Sequence, residues 1–312
     1  MHERSDRPRV AYLVASHTLP EQVLRLMSAL RRGSPDCLLL SHHDRRASSL
    51  DRAPLEALEV LRIEPPSAVG WGEFSLLAME LRCLHWALEH TDFDWLVLIS
   101  GQDYPVRPLA EIERSLALAG VHAFVETNEC PPPAPGALTG EFAGRYYFHW
   151  RPLPERVPVA PLRAAARQGR FVRLRVEPRG RWVGVRALRS PFDAALRCYF
   201  GAEWCNLSRP AVETVLRFVE RRPDVLEYYR RTWNPSESFI PTVLANDPHL
   251  RISGDIRRYT VWDRPHLTSP RVLTVGDLER LAGSGCDFAR KFDETVDSAV
   301  LDELDRRIDS AS

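Results

Sequence analysis

Trp95-Leu96-Val97-Leu98-Ile99-Ser100-Gly101-Gln102-Asp103-Tyr104-Pro105 is the stretch that decides the fold of this chain. Its first five residues are continuously apolar, which suits a central strand covered on both faces. The run then breaks into a polar cluster. Ligands in open α/β sheets bind beyond the carboxyl ends of the strands. One short segment therefore names both a buried strand and one wall of a site.

Upstream, Val10-Ala11-Tyr12-Leu13-Val14-Ala15 and Cys37-Leu38-Leu39-Leu40 read as buried strands, and Glu59 to Ile63 as a third. Leu24, Met27 and Leu30 mark an amphipathic helix between the first two. Phe74, Leu77, Leu81, Leu84 and Leu88 step by three and four residues, the spacing of a core-facing helix. Downstream, Leu109 to Leu118 predicts a helix and Ala123-Phe124-Val125 a strand. Strands alternating with helices define an α/β fold with a mostly parallel central sheet flanked by helices. Pro131-Pro132-Pro133-Ala134-Pro135-Gly136 interrupts the pattern, and the region from there to about 195 reads as irregular. It carries arginines at 163, 167, 170, 173, 175, 179, 181, 186 and 189 with Glu177 the only acid among them, and is read as a solvated face. A strand from Arg197 to Leu207, a helix from Pro210 to Glu220 and a short helix from Glu237 to Asn246 follow. A strand near Ile256 to Trp262 and helices near Gly276 to Ala282 and Thr295 to Ile308 complete the expectation.

With 312 residues, 44% hydrophobic and 27% charged, the chain has the profile of an ordinary globular protein of one large domain or two intimate ones. Its formal net charge of zero gives no general attraction to nucleic acid or membrane. The six cysteines, at 37, 83, 130, 198, 205 and 286, include no Cys-x-x-Cys pair. They read as reduced core thiols rather than a disulfide framework or zinc site. Met1 to Arg9 is polar, no signal-peptide pattern is present, and no apolar stretch is long enough to span a bilayer. Cytoplasmic placement is the expectation, with peripheral attachment to a membrane left open.

Lys291 is the only lysine among 42 basic side chains. An ammonium is a compact point charge where a guanidinium is a planar fork, so a lone lysine in an arginine-rich chain suits a phosphate group. Three strands end in polar clusters: Ser16-His17-Thr18, Ser41-His42-His43-Asp44, and Ser100 to Pro105. Three in register mark a cleft along one end of the sheet. Asp92-Phe93-Asp94 precedes the central strand and so lies at the opposite end, where it reads as a helix-to-strand turn. At the cleft end Asp103 stands alone, weak provision for a divalent metal. Glu237 follows Asn234-Pro235-Ser236 at a helix start, where an acid suits the helix dipole.

In these blocks the chain resembles the core-2/I-branching N-acetylglucosaminyltransferase and peptide O-xylosyltransferase family, glycosyltransferase family 14. The resemblance runs from about residue 8 to 300 over seven ordered blocks. They are Val10 to His17 with Leu19-Pro20; Ser41 to Asp44; Val69-Gly70-Trp71-Gly72; Ser100 to Pro105; Gly201 to Arg209; Pro235-Ser236-Glu237 with Phe239 and Thr242; and Phe288-Ala289-Arg290-Lys291-Phe292-Asp293. It implies a single GT-A type domain over 1–312. Residues 8–130 would form the nucleotide-sugar half, 131–195 a variable acceptor-side segment and 196–300 the catalytic half.

The resemblance further implies inverting sugar transfer from UDP-N-acetylglucosamine or UDP-xylose to an acceptor hydroxyl, with no cofactor and no metal. Glu237 would be the general base. Lys291, and with it Arg290, would neutralise the diphosphate, with Arg271, Arg257 or Arg258 as a second cation. Asp44 would lie at the uridine and His17 on the donor side. Read from the residues themselves, Trp71 and Trp204 offer aromatic faces that suit sugar rings, and with Asp103, Gln102, Glu126 and Arg145 they are expected to line the acceptor or sugar pocket. Ser236 stands where the family has an aspartate. The acceptor would be a glycan, a lipid-linked sugar or a small molecule. Two other classes stay open: a metal-dependent hydrolase using His17, His42, His43 and Asp44, and a sugar-nucleotide-binding protein without turnover. Adjacent His42 and His43 would point to opposite faces of an extended strand, which weighs against the first.

Overall fold

The computed structural model describes residues 8–134, 140–167, 169–177, 180–263 and 269–309. The chain begins β1 (Val10–Ser16), α1 (Pro20–Gly33), β2 (Leu38–His43), α2 (Arg52–Ala57), β3 (Leu61–Arg62), α3 (Phe74–His90) and β4 (Trp95–Ser100). It continues β5 (Asp103–Pro105), α4 (Leu109–Ala117), β6 (Ala123–Phe124), β7 (Asn128–Glu129), α5 (Glu141–Tyr146), β8 (Phe148–Pro152) and α6 (Val159–Ala166). Next come β9 (Val172–Glu177), β10 (Gly180–Arg186), β11 (Tyr199–Phe200), β12 (Asn206–Ser208), α7 (Arg209–Arg221), α8 (Pro223–Tyr229) and α9 (Ser236–Ala245). The last elements are β13 (Ile252–Ser253), β14 (Arg258–Thr260), α10 (Leu278–Gly283) after a 3-10 turn, β15 (Phe288–Arg290) and α11 (Ala299–Asp309).

A seven-stranded sheet in the order β13-β6-β12-β4-β1-β2-β3 forms the centre. β1 pairs in parallel with both β2 and β4, and β12 alone runs antiparallel, between β4 and β6. The apolar runs serve two cores. Ala11 and Leu13 of β1 and Leu96 and Leu98 of β4 face one layer, closed by α3, α7 and α9. Val10, Tyr12 and Val14, with Trp95, Val97 and Ile99, face the other, closed by α1, α4 and α11. Alternation along a strand sends neighbours to opposite faces, so burial on both sides requires the uninterrupted apolar pattern that the sequence shows. Arg25 and Arg32 of α1 pair with Asp302, Asp305 and Asp309 of α11, fixing the C-terminal helix against the N-terminal one.

Two expectations are corrected. The described residues after the proline run include regular structure where irregular chain was expected: β8, β10 and β9 form an antiparallel sheet with α6 beside it. Its arginines alternate with valines and leucine, a two-period pattern hidden by the density of charge; Arg179 lies outside the described residues, as does most of the N-terminal segment. The stretch from Arg197 to Leu207 is two short strands, because β11 pairs with β7 while β12 joins the central sheet. Within the polar cluster that follows β4, Asp103-Tyr104-Pro105 forms β5 of a second sheet, β14-β15-β5. Asp92 and Asp94 do sit in the helix-to-strand turn: Asp94 accepts from the Arg9 backbone N–H at 2.8 Å and Asp92 lies 3.7 Å from Arg209. All six cysteines are free thiols, five of them buried.

Candidate active site

The carboxyl ends of β1, β2 and β4 meet as the alternation requires. His43 Nδ1 lies 2.9 Å from Ser16 Oγ, and the Asp44 N–H donates to Ser16 O at 2.8 Å. His42 turns the other way, its Nε2 accepting from the Ser67 N–H at 2.9 Å. Burial and the Arg82 charge push His42 down to about 4, so its ring is a neutral acceptor at physiological pH. Exposed His17 stands on the β1 side of this group. Among the described residues no group of three or more His, Cys, Asp or Glu side chains is arranged to hold a metal ion. Asp44 is buried and held well below the usual carboxylate range by the Arg46 guanidinium and the Val69 N–H, 2.7 and 2.9 Å away. That pair ties the β2 end to the 69–72 loop. The loop's Trp71 packs edge-on against Trp233, and Gly72 O accepts from the Asn234 N–H at 2.8 Å.

β15 delivers the C-terminal block to the end of β4. Arg290 stands opposite Asp103 in register. Its Nε lies 3.3 Å from the buried Asp103 Oδ1 without aligning for a hydrogen bond, so neither atom has a hydrogen-bond partner among the described residues. Its guanidinium lies 4.6 Å from the Trp204 ring centroid, a cation-π contact. Lys291 is half-buried and its backbone is bonded to Leu273 and Arg271. The Arg271 guanidinium is engaged with Asp277 at 2.7 Å and with Asp263 at 3.3 Å. Arg257 pairs with Asp287, and buried Arg258 donates to Asn206 and Leu98. Gln102 donates to Phe292 O at 3.2 Å. Behind it, wholly buried Gln22 of α1 donates to Gly101 O and Phe292 O and accepts from the Glu294 N–H, a clamp that sequence reading did not find. Gly101 is required there, since a Cβ would lie 2.6 Å from Val23 Cγ2 and 2.9 Å from Ser16 Cβ.

The opposing wall carries acids. Glu237 opens α9, with its side chain 30% exposed and 2.7 Å from Arg145. Burial raises its pKa above the ordinary carboxyl value, and Arg145 and Asn234 pull it partly back. Gly201 N donates to Glu237 O at 2.8 Å, bringing the β11–β12 loop alongside. Glu126 grips the same loop by accepting from Ala202 N at 3.0 Å. No side chain fits at Gly201, where a Cβ would stand 2.1 Å from Glu126 O. Buried Ser236 points to Asn234 rather than to Glu237.

Two further acids join the group, and sequence reading singled out neither. Burial pushes Glu203 up to about 7, against the pull of Arg290 and with the push of Glu237 and Asp103. Glu80 of α3 is fully buried, its carboxylate has no hydrogen-bond partner among the described residues, and it is raised well above the ordinary value by burial and by Glu203 and Glu237. Glu203 precedes Trp204 in a quoted block, so its place was legible. Glu80 lies on a helix whose apolar stripe conceals it. The site thus sets Arg290 and the strand carrying Lys291 against Glu237, Glu203 and Glu80. Such an arrangement can neutralise an anionic leaving group on one side and take up a proton on the other.

The family model of the core-2/I-branching enzyme matches residues 10–136 and 164–282. The block from Phe288 to Asp293 lies beyond that match. Among similar proteins, beta-glucuronosyltransferase GlcAT14A of Arabidopsis thaliana is 25% identical over 96% of this chain and 64% of its own length. Xylosyltransferase oxt of Drosophila melanogaster is 26% identical over 97% of this chain and 34% of its own. Xylosyltransferase 1 of Homo sapiens is 25% identical over 95% of this chain and 30% of its own. The chain therefore spans between about a third and two thirds of the length of these relatives.

Proposed function

The chain belongs to the core-2/I-branching enzyme family, and we propose that it is a glycosyltransferase moving a sugar from a UDP-sugar to an acceptor hydroxyl. The observation that carries this reading is the convergence of Arg290 with Glu203 and Glu237 at the carboxyl end of β4. The Arg290 Nε is held 3.3 Å from the buried Asp103 carboxylate, and its guanidinium lies over the Trp204 ring. A guanidinium fixed in this way can present its other N–H donors to a phosphate oxygen. Lys291 follows it on the same strand end and supplies the point charge. The names of the relatives support glucuronic acid and xylose as transferred sugars beside N-acetylglucosamine.

In this reading the acceptor oxygen attacks the anomeric carbon from the face opposite UDP. The bond to the acceptor forms as the bond to the diphosphate oxygen breaks, which inverts the anomeric centre. The acceptor proton passes to Glu237, and Arg290 and Lys291 hold the charge that develops on the departing diphosphate, the part a metal plays elsewhere. General-base help of this kind contributes about 10²–10⁴-fold. Trp204, held face-on by Arg290, offers an apolar ring to a sugar. A second assignment of the base has its own support. A base works best with a pKa near the working pH, and Glu203 stands at about 7, whereas Glu237 is engaged by Arg145.

The test is calorimetric titration of UDP in EDTA, paired with transfer assays using UDP-glucuronic acid, UDP-xylose and UDP-N-acetylglucosamine. Lys291→Ala is expected to weaken UDP binding. Glu237→Gln is expected to leave binding within about two-fold and to lower transfer by about 10²–10⁴-fold. If Glu203→Gln takes that loss and Glu237→Gln does not, the base is Glu203. Binding of UDP that requires manganese would overturn the cation-based reading of the diphosphate site.

A further inference from the structure

We propose that the outer face of the β8–β10–β9 sheet, with α6 beside it, is a docking surface for an anionic lipid bilayer. Charge is the first observation. Residues 151–189 hold 11 arginines and 2 glutamates, a charge of +9 in a chain whose net charge is zero; Arg173, Arg175 and Arg186 of this segment turn to the inner side of the sheet, and the remaining described arginines carry the charge of the outer side. Arg151, Arg156, Arg163, Arg167, Arg170 and Arg189 are exposed and form no ion pair among the described residues. Elsewhere on the surface, arginines such as Arg32, Arg222 and Arg306 have carboxylate partners.

The second observation is apolar. Phe171, Val176 and Val185 are 57%, 48% and 54% exposed and Leu188 is fully exposed, four of the ten large hydrophobic side chains that stand in solvent among the described residues. Register explains their grouping. Val172 pairs with Val185 and Leu174 with Val183, while Trp182 and Gly184 alternate to the buried side. The outward face is therefore a row of valines and a leucine. Phe171 and Leu188 flank the end where β9 enters and β10 leaves. A groove of about 450 Å³ runs between helix and sheet, lined by Arg163, Ala166, Arg167, Leu174 and Val176. Apolar side chains interleaved with unpaired cations match the boundary between acyl chains and anionic headgroups. A soluble polyanion would leave the valines, Phe171 and Leu188 without a counterpart, which is why a bilayer is favoured. The inner face of the same sheet puts Trp182 4.9 Å from Trp233 by ring centroids, so the surface lies one sheet away from the wall that carries Glu237.

Co-sedimentation with vesicles tests this directly. The whole chain is mixed with vesicles of phosphatidylcholine alone or with about a third phosphatidylglycerol, and separately with a soluble sulfated polysaccharide. Each basic residue near an anionic surface contributes about a five-fold factor in partitioning. The triple variant Arg163→Glu, Arg167→Glu, Arg170→Glu is therefore expected to lose about 100-fold or more on anionic vesicles. Leu188→Ser with Phe171→Ser removes side chains that pack on little of the core and is expected to weaken vesicle binding while leaving polysaccharide binding unchanged. A thermal unfolding transition at the wild-type position confirms that each variant is folded. Failure to sediment with anionic vesicles would overturn the proposal. So would polysaccharide binding that exceeds vesicle binding and ignores the two apolar changes.

Discussion

Glu203→Gln tests the electrostatics of the site without reference to any substrate. In the folded protein Glu203 is pushed from 4.5 up to about 7 by burial and by its acidic neighbours. Between those two pH values the native state holds a proton that the unfolded chain has released. Stability then falls as pH rises, because the unfolded state binds fewer protons than the native state. The contribution is fully present below about 4.5 and is lost as pH climbs through about 7. At ~1.4 kcal/mol per pH unit the span corresponds to about 3 kcal/mol. That figure is an upper bound, since Glu80 and Glu237 share the repulsion. Glutamine has the same shape and no charge, so the variant should match the wild type in mild acid and exceed it in stability above neutrality. The assay is urea unfolding followed by tryptophan fluorescence between about pH 5 and about pH 8, extrapolated linearly to water. A stability difference that stays constant across the window, or a variant that is weaker at the alkaline end, would refute the argument.

Three other outcomes are expected. Gly101→Ala places a Cβ against Val23 and Ser16 and should cost about 1–3 kcal/mol of stability by overpacking, read by urea titration, with a raised donor KM because Gln102 moves. Gln22→Leu removes the clamp on Gly101, Phe292 and Glu294; UDP affinity should fall about ten-fold while far-ultraviolet dichroism is unchanged, and an unaltered affinity would show that the clamp does not position Lys291. Arg145→Met deletes the cation that pulls the Glu237 carboxyl down, so the acidic limb of the pH–rate profile should move to higher pH; movement to lower pH would contradict Glu237 as the proton acceptor.

The strands of the central sheet were legible because burial on both faces demands an unbroken apolar run, which β1 and β4 supply. The helices over 74–90 and 109–117 were legible because their apolar residues recur at three and four. The clusters at 16, 41–44 and 100–103 were legible as strand ends. Lys291 stood out as the only lysine, with Arg290 beside it, whereas the role of Glu237 came from a resemblance in ordered blocks; by pattern alone it is an acid at a helix start. The β8–β10–β9 sheet was missed because arginines fill alternate positions of β9 and hide its period of two. Glu80 was missed because one acid within an apolar helix carries no signal until its neighbours in space are known.

By itself the sequence determined which segments are buried, where the chain turns polar, and that a single lysine was retained near the C-terminus. Those are properties of neighbours along the chain, and periodicity encodes them. Only the tertiary structure decided that Arg290, from the far end of the chain, stands beside Asp103, and that burial raises Glu203 and Glu80 together. It alone placed Arg151, Arg163 and Arg167 beside the outward valines and leucine, while Arg173 and Arg175 turn to the inner side of the sheet. Pairing across strands and the loss of water around a charge depend on residues distant in sequence, and no local pattern records them.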